Sequence, residues 1–231
     1  MKQYSALIFD LDGTLIDSAP DIASAVNVYM TSHGWPELEV DYVEQFIGNG
    51  PRRLLLDIFL DQGLPSDDAT VDAAVKSYIG NYHRNPAEKT RFFPHVREDL
   101  QSLHDAGLRL GICTNKPHAL THEILKILKL DRITEVALGA DAVPACKPDP
   151  DHLLAVAEQM GLGKEDWAYI GDTNVDKATA EAADAPFFVV PWGGGADVKV
   201  EQHQRLTRIA DLMAYRPRSK GREEPSKERI A

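Results

Sequence analysis

Residues 6–15 read Ala6-Leu7-Ile8-Phe9-Asp10-Leu11-Asp12-Gly13-Thr14-Leu15, an apolar run that stops abruptly at a pair of aspartates. Apolar residues without alternation are the pattern of a strand buried on both faces of a parallel sheet. In extended chain, residues i and i+2 point the same way, so Asp10 and Asp12 can share one site. Gly13 lets the backbone turn sharply there. Such a site lies at the carboxyl end of a strand, where open α/β sheets bind ligands. Neighbouring carboxylates repel each other, and a divalent cation or a shared proton relieves the repulsion. Magnesium, which takes oxygen ligands, suits the pair. Taken alone, the pair is more readily an acidic turn after a strand.

The rest of the chain changes that balance. Further apolar runs occupy 108–113, 136–138, 167–170 and 187–190. Helical spacing of apolar residues predicts helices over 95–106, 117–128 and 149–160, and Gly107 and Gly161 stand where the first and last should stop. Strands alternating with helices imply an α/β fold, a three-layer Rossmann-like core around a parallel sheet. Polar residues follow the runs at once: Thr114-Asn115 after Cys113, Gly171-Asp172-Thr173 after Ile170 with Asp176 just beyond, and Lys147-Pro148 in a loop after the third run. Each strand would deliver them to the same sheet edge. Phosphoryl transfer needs such a set: a nucleophile, cations to neutralise phosphoryl oxygens, and help for the leaving group.

Residues 17–86 break the rhythm. Ser18 is positioned to cap a helix carrying Ile22, Val26 and Met30 and ending near Gly34. A second helix should start at Pro51, bury Leu54, Leu55, Ile58 and Phe59, and end at Gly63. A third should run from Ser66 to about Tyr82. An inserted all-helical cap domain over 17–86 thus interrupts a core made of 1–16 and 87–215, and about 70 residues suffice for a small domain. Residues 216–231 are basic and acidic with no aliphatic before Ile230, and are expected to be a disordered tail.

The 231-residue chain is 43% hydrophobic and 26% charged, and its formal net charge is −11. That is globular composition without the basic footprint that nucleic acid or an acidic membrane surface needs. Cys113 and Cys146 are too few for a disulfide framework and point to a reducing compartment. No apolar stretch approaches the roughly 18 residues of a membrane span, and the first run ends too soon for a secretory signal. The expectation is a cytoplasmic protein, monomer or homodimer, with no nucleic-acid or membrane partner. A small anion remains a possible ligand wherever a few cations and backbone N–H groups converge.

The segments Asp10-Leu11-Asp12-Gly13-Thr14-Leu15, Thr114-Asn115-Lys116, Lys147-Pro148-Asp149-Pro150 and Gly171-Asp172-Thr173-Asn174-Val175-Asp176 together resemble the haloacid dehalogenase superfamily, in the branch with a helical cap after the first motif. Asp17-Ser18-Ala19-Pro20-Asp21-Ile22, Ile47-Gly48-Asn49-Gly50 and Asp141-Ala142-Val143-Pro144 resemble its phosphoglycolate phosphatase family, and the similarity spans 4–214. The resemblance implies an aspartyl-phosphate on Asp10. Asp12 would act as acid and then base, which asks for a raised pKa that neighbouring carboxylates could supply. Thr114 and Asn115 would hold phosphate oxygens and Lys147 would balance their charge. Magnesium would be held by Asp10, by the backbone carbonyl of Asp12 and by Asp172, with Asp176 orienting its waters or Lys147. Asp12 also favours a phosphatase over a dehalogenase, since an alkoxide leaving group needs a proton and a halide does not.

Substrate choice would lie in the cap, which has to close over the site. Gly50 ends a flexible loop, and Arg52 or Arg53 after it could meet a substrate carboxylate such as that of 2-phosphoglycolate, the leading candidate. Adjacent helical residues sit about 100° apart, so at most one of them points inward; both are as readily solvated. Phosphosugar, nucleotide or pyrophosphate hydrolysis, a phosphosugar mutase and a non-catalytic binding protein are the alternatives. His118, His122 and His152 are expected on helix surfaces, and Asp184 in a left-handed turn.

Overall fold

β1 (Ala6–Phe9) is the central strand of a five-stranded parallel sheet in the order β5-β4-β1-β6-β7. Its neighbours are β4 (Arg109–Cys113) and β6 (Trp167–Gly171), flanked in turn by β5 (Val136–Leu138) and β7 (Phe187–Val189). The structure, a computed structural model, describes residues 3–216. The tail expected over 216–231 lies outside these, apart from Arg216.

All-buried strands need helices on both faces, and the alternation of side chains along β1 shows how they are covered. Leu7 and Phe9 pack with Leu100 and Leu103 of α5 (Val96–Asp105) and Leu120 and Ile124 of α6 (His118–Leu128). Ala6 and Ile8 pack with Leu153 and Val156 of α7 (Pro150–Gln159) and Ala180 of α8 (Asn174–Ala182). The three-layer α/β core expected from the sequence is the observed one. Register then determines the site. Phe9 pairs with both Ile112 and Ile170, so Asp10, Thr114 and Asp172 emerge together at the carboxyl edge. The chain moves outward from β1 in opposite directions on its two sides, making that edge the switch point of the sheet.

Four helices lie between the first strand and α5: α1 (Ala19–Ser32), α2 (Val40–Glu44), α3 (Pro51–Asp61) and α4 (Asp68–Tyr82). α3 buries Leu54, Leu55, Ile58 and Phe59 as its periodicity requires. The short α2 carries too few apolar residues to show a period, and it is recognisable only from Val43, which is buried. Two further differences appear where the helices join the sheet. β2 (Ile16–Asp17) pairs antiparallel with β3 (Arg91–Phe92), so the outgoing and returning chains are stitched side by side. Two-residue strands leave no periodic trace. Ser18 does start α1, but its side chain makes no cap bond; its hydroxyl donates to Asp12 Oδ1 at 2.5 Å.

Asp21 holds the same crossing from the helix side. Its buried carboxylate accepts from Lys89 N at 3.0 Å and from Thr90 N and Thr90 Oγ1 at 2.8 and 2.7 Å. Asp184 adopts φ 52°, the left-handed turn expected of it. His152 contradicts its surface assignment. It lies one turn before Val156 on the buried stripe of α7, and it is fully buried. Its Nε2 donates to Leu138 O at 3.1 Å. Burial first, and the charge of Lys147 second, push its pKa down to about 4.

Asp21→Ala should cost about 3 kcal/mol, because it strips buried N–H groups of a charged acceptor; thermal unfolding followed by circular dichroism will show it as a lowered Tm. His152 gives stability a defined pH dependence. The unfolded imidazole takes up its proton near 6.5 and the folded one only near 4, so stability falls as pH drops through that window. By pH 5 the loss should be about 2 kcal/mol. Urea unfolding at pH 7 and pH 5 should show wild type losing that much more than His152→Leu; equal losses would refute it.

Candidate active site

Asp10 extends the β1 ladder by donating its N–H to Ile170 O at 2.9 Å, and its carboxylate is buried. Lys147 Nζ lies 2.9 Å from Asp10 Oδ1. The approach is off-line for a hydrogen bond, and Oδ1 has no hydrogen-bond partner among the described residues. The ammonium is fixed instead by Asp176 Oδ1 at 2.7 Å and Tyr169 OH at 2.9 Å. Asp176 is wholly engaged. Its Oδ1 also accepts from Tyr169 OH at 2.7 Å, and its Oδ2 accepts from Thr173 Oγ1 at 2.6 Å and from the N–H groups of Thr173 and Asp172 at 3.0 and 3.2 Å. Thr173 and Asp176 thereby form the capping box of α8. Asp172 accepts from Thr14 Oγ1 at 2.7 Å and from Gly194 N at 2.9 Å.

Ligand oxygens of Asp10, Asp172 and Asp176 lie within 4.8 Å of one another, all three residues buried. Among the described residues Lys147 alone is in ion-pair contact with this trio, bridging Asp10 and Asp176. Burial above all, then its acidic neighbours, raises Asp172 to about 8; burial, opposed by Lys147, raises Asp10 to about 7. Asp176 goes the other way. Burial would raise it too, but the Lys147 charge and the converging donors outweigh that and hold it below the ordinary carboxylate range. Lys147 is likewise held above its usual value, because Asp10 and Asp176 outweigh its desolvation. The cluster thus lacks positive charge. Asp10 and Asp172 keep lone pairs that none of the described residues takes up, whereas Asp176 accepts five donors. Hard carboxylate oxygens in this arrangement fit a divalent cation.

The remaining sequence candidates divide. Asp12 and Gly50 line a pocket above Asp10 with Thr114 and Asn115, under Ile22, Leu54 and Tyr78 from the helical insert. Asp12 shares the pocket with Asp10, on which its charge acts, and takes donors of its own. It accepts from Ser18 Oγ and from Lys116 Nζ, the latter at 3.0 and 3.1 Å. Asn115 donates both amide hydrogens to carbonyls, Gly48 O at 3.0 Å and Lys147 O at 2.9 Å. In this conformation it ties the Gly48 loop to the Lys147 loop instead of offering a donor to a ligand. The arginines are not brought to the pocket. Arg52 pairs with Asp68 at 2.5 Å and Asp72 at 3.2 Å, and Arg53 with Asp57 at 2.7 Å. Acids on α4 and one turn along α3 capture them, which helical phase alone does not reveal. On the Asp172 side a wider mouth is lined by Asp17, Asp41, Glu44 and Asp197, with no basic residue among the described residues that line it.

Comparison with known proteins agrees with this geometry. The family described as haloacid dehalogenase-like hydrolase matches residues 7–190. This chain belongs to that family. Among curated relatives, a phosphoglycolate phosphatase of Cereibacter sphaeroides is 37% identical over 182 residues, covering 78% of this chain and 82% of the relative. One from Caulobacter vibrioides is 36% identical over 189 residues, covering 82% and 80%. A crystal structure from Haemophilus somnus, described as a predicted phosphoglycolate phosphatase, superposes with a TM-score of 0.80 at 26% identity, covering 93% of this chain and 98% of that one. The chain is accordingly an enzyme, a hydrolase of this family, with phosphoglycolate phosphatases among its relatives.

Several residues of the hydrolase site carried no assignment in the sequence. Thr14 and Lys116 stand inside motifs already singled out, so proximity was the available signal. Tyr169 is one buried strand residue among others, and nothing local marks it. Gly193 and Gly194 stand out as a glycine run, and their purpose is steric. A Cβ on Gly193, at φ +57°, would sit 2.4 Å from Gly13 O and 2.6 Å from Asp172 Oδ2. Trp192 fastens this loop by donating to Thr14 O at 2.9 Å. Cys113 is buried, which pushes its thiol well above the usual value and away from reactivity. Gly193→Ala should displace Asp172 and weaken divalent-cation binding about tenfold or more. Isothermal titration calorimetry will report it, with far-ultraviolet circular dichroism unchanged.

Proposed function

We propose that this hydrolase is a magnesium-dependent phosphatase that acts through an aspartyl-phosphate on Asp10, with 2-phosphoglycolate as substrate. The observation that carries the proposal is the Asp10 carboxylate, buried at the end of the central strand beside Asp172, with an oxygen that is ion-paired to Lys147 and accepts no hydrogen bond from the described residues. Asp10 attacks phosphorus, and the ester oxygen leaves with a proton from Asp12. Water then attacks the acyl phosphate while Asp12 takes its proton. Lys147, oriented by Asp176 and Tyr169, offsets the charge shared by Asp10 and the phosphoryl oxygens. Thr114 and the neighbouring backbone position the phosphoryl group. Magnesium, held by Asp10, Asp172 and the Asp12 carbonyl, would supply further neutralisation of the phosphoryl oxygens.

Helices α1–α4 serve as the cap, joined to the core through the β2–β3 crossing and supplying the apolar roof over Asp10. Water exclusion under that roof strengthens every charge interaction beneath it. The substrate assignment is supported by the relatives named above and by the small pocket. Nothing in the described residues is a helix long and apolar enough to cross a membrane. Phosphate release from 2-phosphoglycolate, sugar phosphates, nucleotides and pyrophosphate should show a preference for the first. Chelator should abolish activity and magnesium restore it. Asp10→Asn should lower kcat about a thousandfold or more while keeping the fold; unchanged turnover in that variant would exclude the aspartyl-phosphate.

A further inference from the structure

Lys116 is a buried ammonium to which the chemistry above gives no task. Its side chain is only 2% exposed. Nζ donates to the two Asp12 oxygens at 3.0 and 3.1 Å and to Tyr82 OH at 2.9 Å, and lies 4.4 Å from the centroid of the Tyr82 ring. Lysine is rarely buried without a reason, since desolvating its charge is costly. Lys116 also lines the pocket above Asp10, and among the described residues lining that pocket it is the one cation. The arginines that could have competed for the role are held by acids elsewhere. The other mouth of the site is acidic, and among the described residues lining it there is no cation for an anion to meet.

We propose that Lys116 determines specificity by donating to a carboxylate on the leaving group of the substrate. The inference rests on the phosphoglycolate assignment above and deepens it. Its basis is position. Asp12 is the group that meets the leaving oxygen, so whatever touches Asp12 stands beside the first atoms of the leaving group. In phosphoglycolate the carboxylate is separated from the ester oxygen by a single methylene, which brings its charge into the reach of Nζ. A longer leaving group would carry a distal charge past Lys116 to Ile22, Leu54 and Tyr78, which offer no cation. The three N–H donors of Nζ go to the two Asp12 oxygens and to Tyr82 OH, and a ligand carboxylate takes the place of one of the two Asp12 oxygens while the other keeps its bond. Tyr82 closes α4, so the same ammonium that reads the substrate also touches the cap, and an anion bound there is held under the closed roof.

The test compares kcat/KM for 2-phosphoglycolate with that for ethyl phosphate, which replaces the carboxylate by a methyl group at the same chain position. Lys116→Met and Lys116→Gln are compared with wild type; glutamine keeps polar partners for Asp12 and Tyr82 should the methionine variant fold poorly. Any loss that arises through Asp12 is common to both substrates and cancels in the ratio. Wild type should prefer phosphoglycolate, and both variants should shrink that preference by about 10- to 100-fold, mainly through KM, the range of a lost charge-assisted hydrogen bond. Lys116→Arg should retain more of the preference than either. A wild-type preference that survives in Met and Gln variants overturns the role of Lys116 and leaves the substrate assignment standing. A wild type with no preference overturns both.

Discussion

Three buried carboxylates crowded around one ammonium are the constraint on which the rest of this structure depends. Burying Asp10, Asp172 and Asp176 together is unfavourable by any electrostatic measure, and Lys147 offsets only part of it. The fold resolves the imbalance unevenly. Asp176 takes most of the donors and is held below the ordinary carboxylate range, while Asp10 and Asp172 are left with raised proton affinity. A site prepared in this way gains most from a cation, and then from the phosphoryl oxygens that a cation and Lys147 can hold together. Reactivity here is a consequence of incomplete charge compensation.

That arrangement requires rigid support, and the support is largely invisible to chemistry. The capping box at the start of α8 serves the helix and the site at once, since the oxygen that caps the helix belongs to the carboxylate that aims Lys147. Tyr169, one residue of the β6 strand, reaches both members of the pair. Gly13 and Gly193 approach Asp172 so closely that a methyl group on either would collide with its carboxylate. A substitution in any of these would act on the reaction through geometry, without touching a substrate.

The insert is coupled to this centre by polar contacts at a few points. Asp21 and the β2–β3 pair hold the two chain crossings, Asn115 carries the Gly48 loop, and Lys116 joins Asp12 to Tyr82. At the far edge His83 meets Glu123 at 2.9 Å. Contacts of this kind are strong when dry and readily replaced by water when wet.

The sequence by itself determined the order of strands and helices, the parallel core, and the edge where Asp10, Thr114, Lys147 and Asp172 collect. Runs such as Ala6–Phe9 and turns such as Asp12-Gly13 are local signals, written in adjacent residues, and they survive without a structure. It did not show that Ser18 would give its hydroxyl to Asp12 in preference to its helix, that Arg52 would be drawn to Asp68 and Asp72, or that His152 would be buried against Leu138. Nor did it show that Lys116 would bridge Asp12 and Tyr82. Each of those outcomes is a choice among partners far apart in the chain. A charged or polar side chain takes whichever partner the packing of distant elements brings within hydrogen-bonding reach, and only the tertiary structure decides which that is.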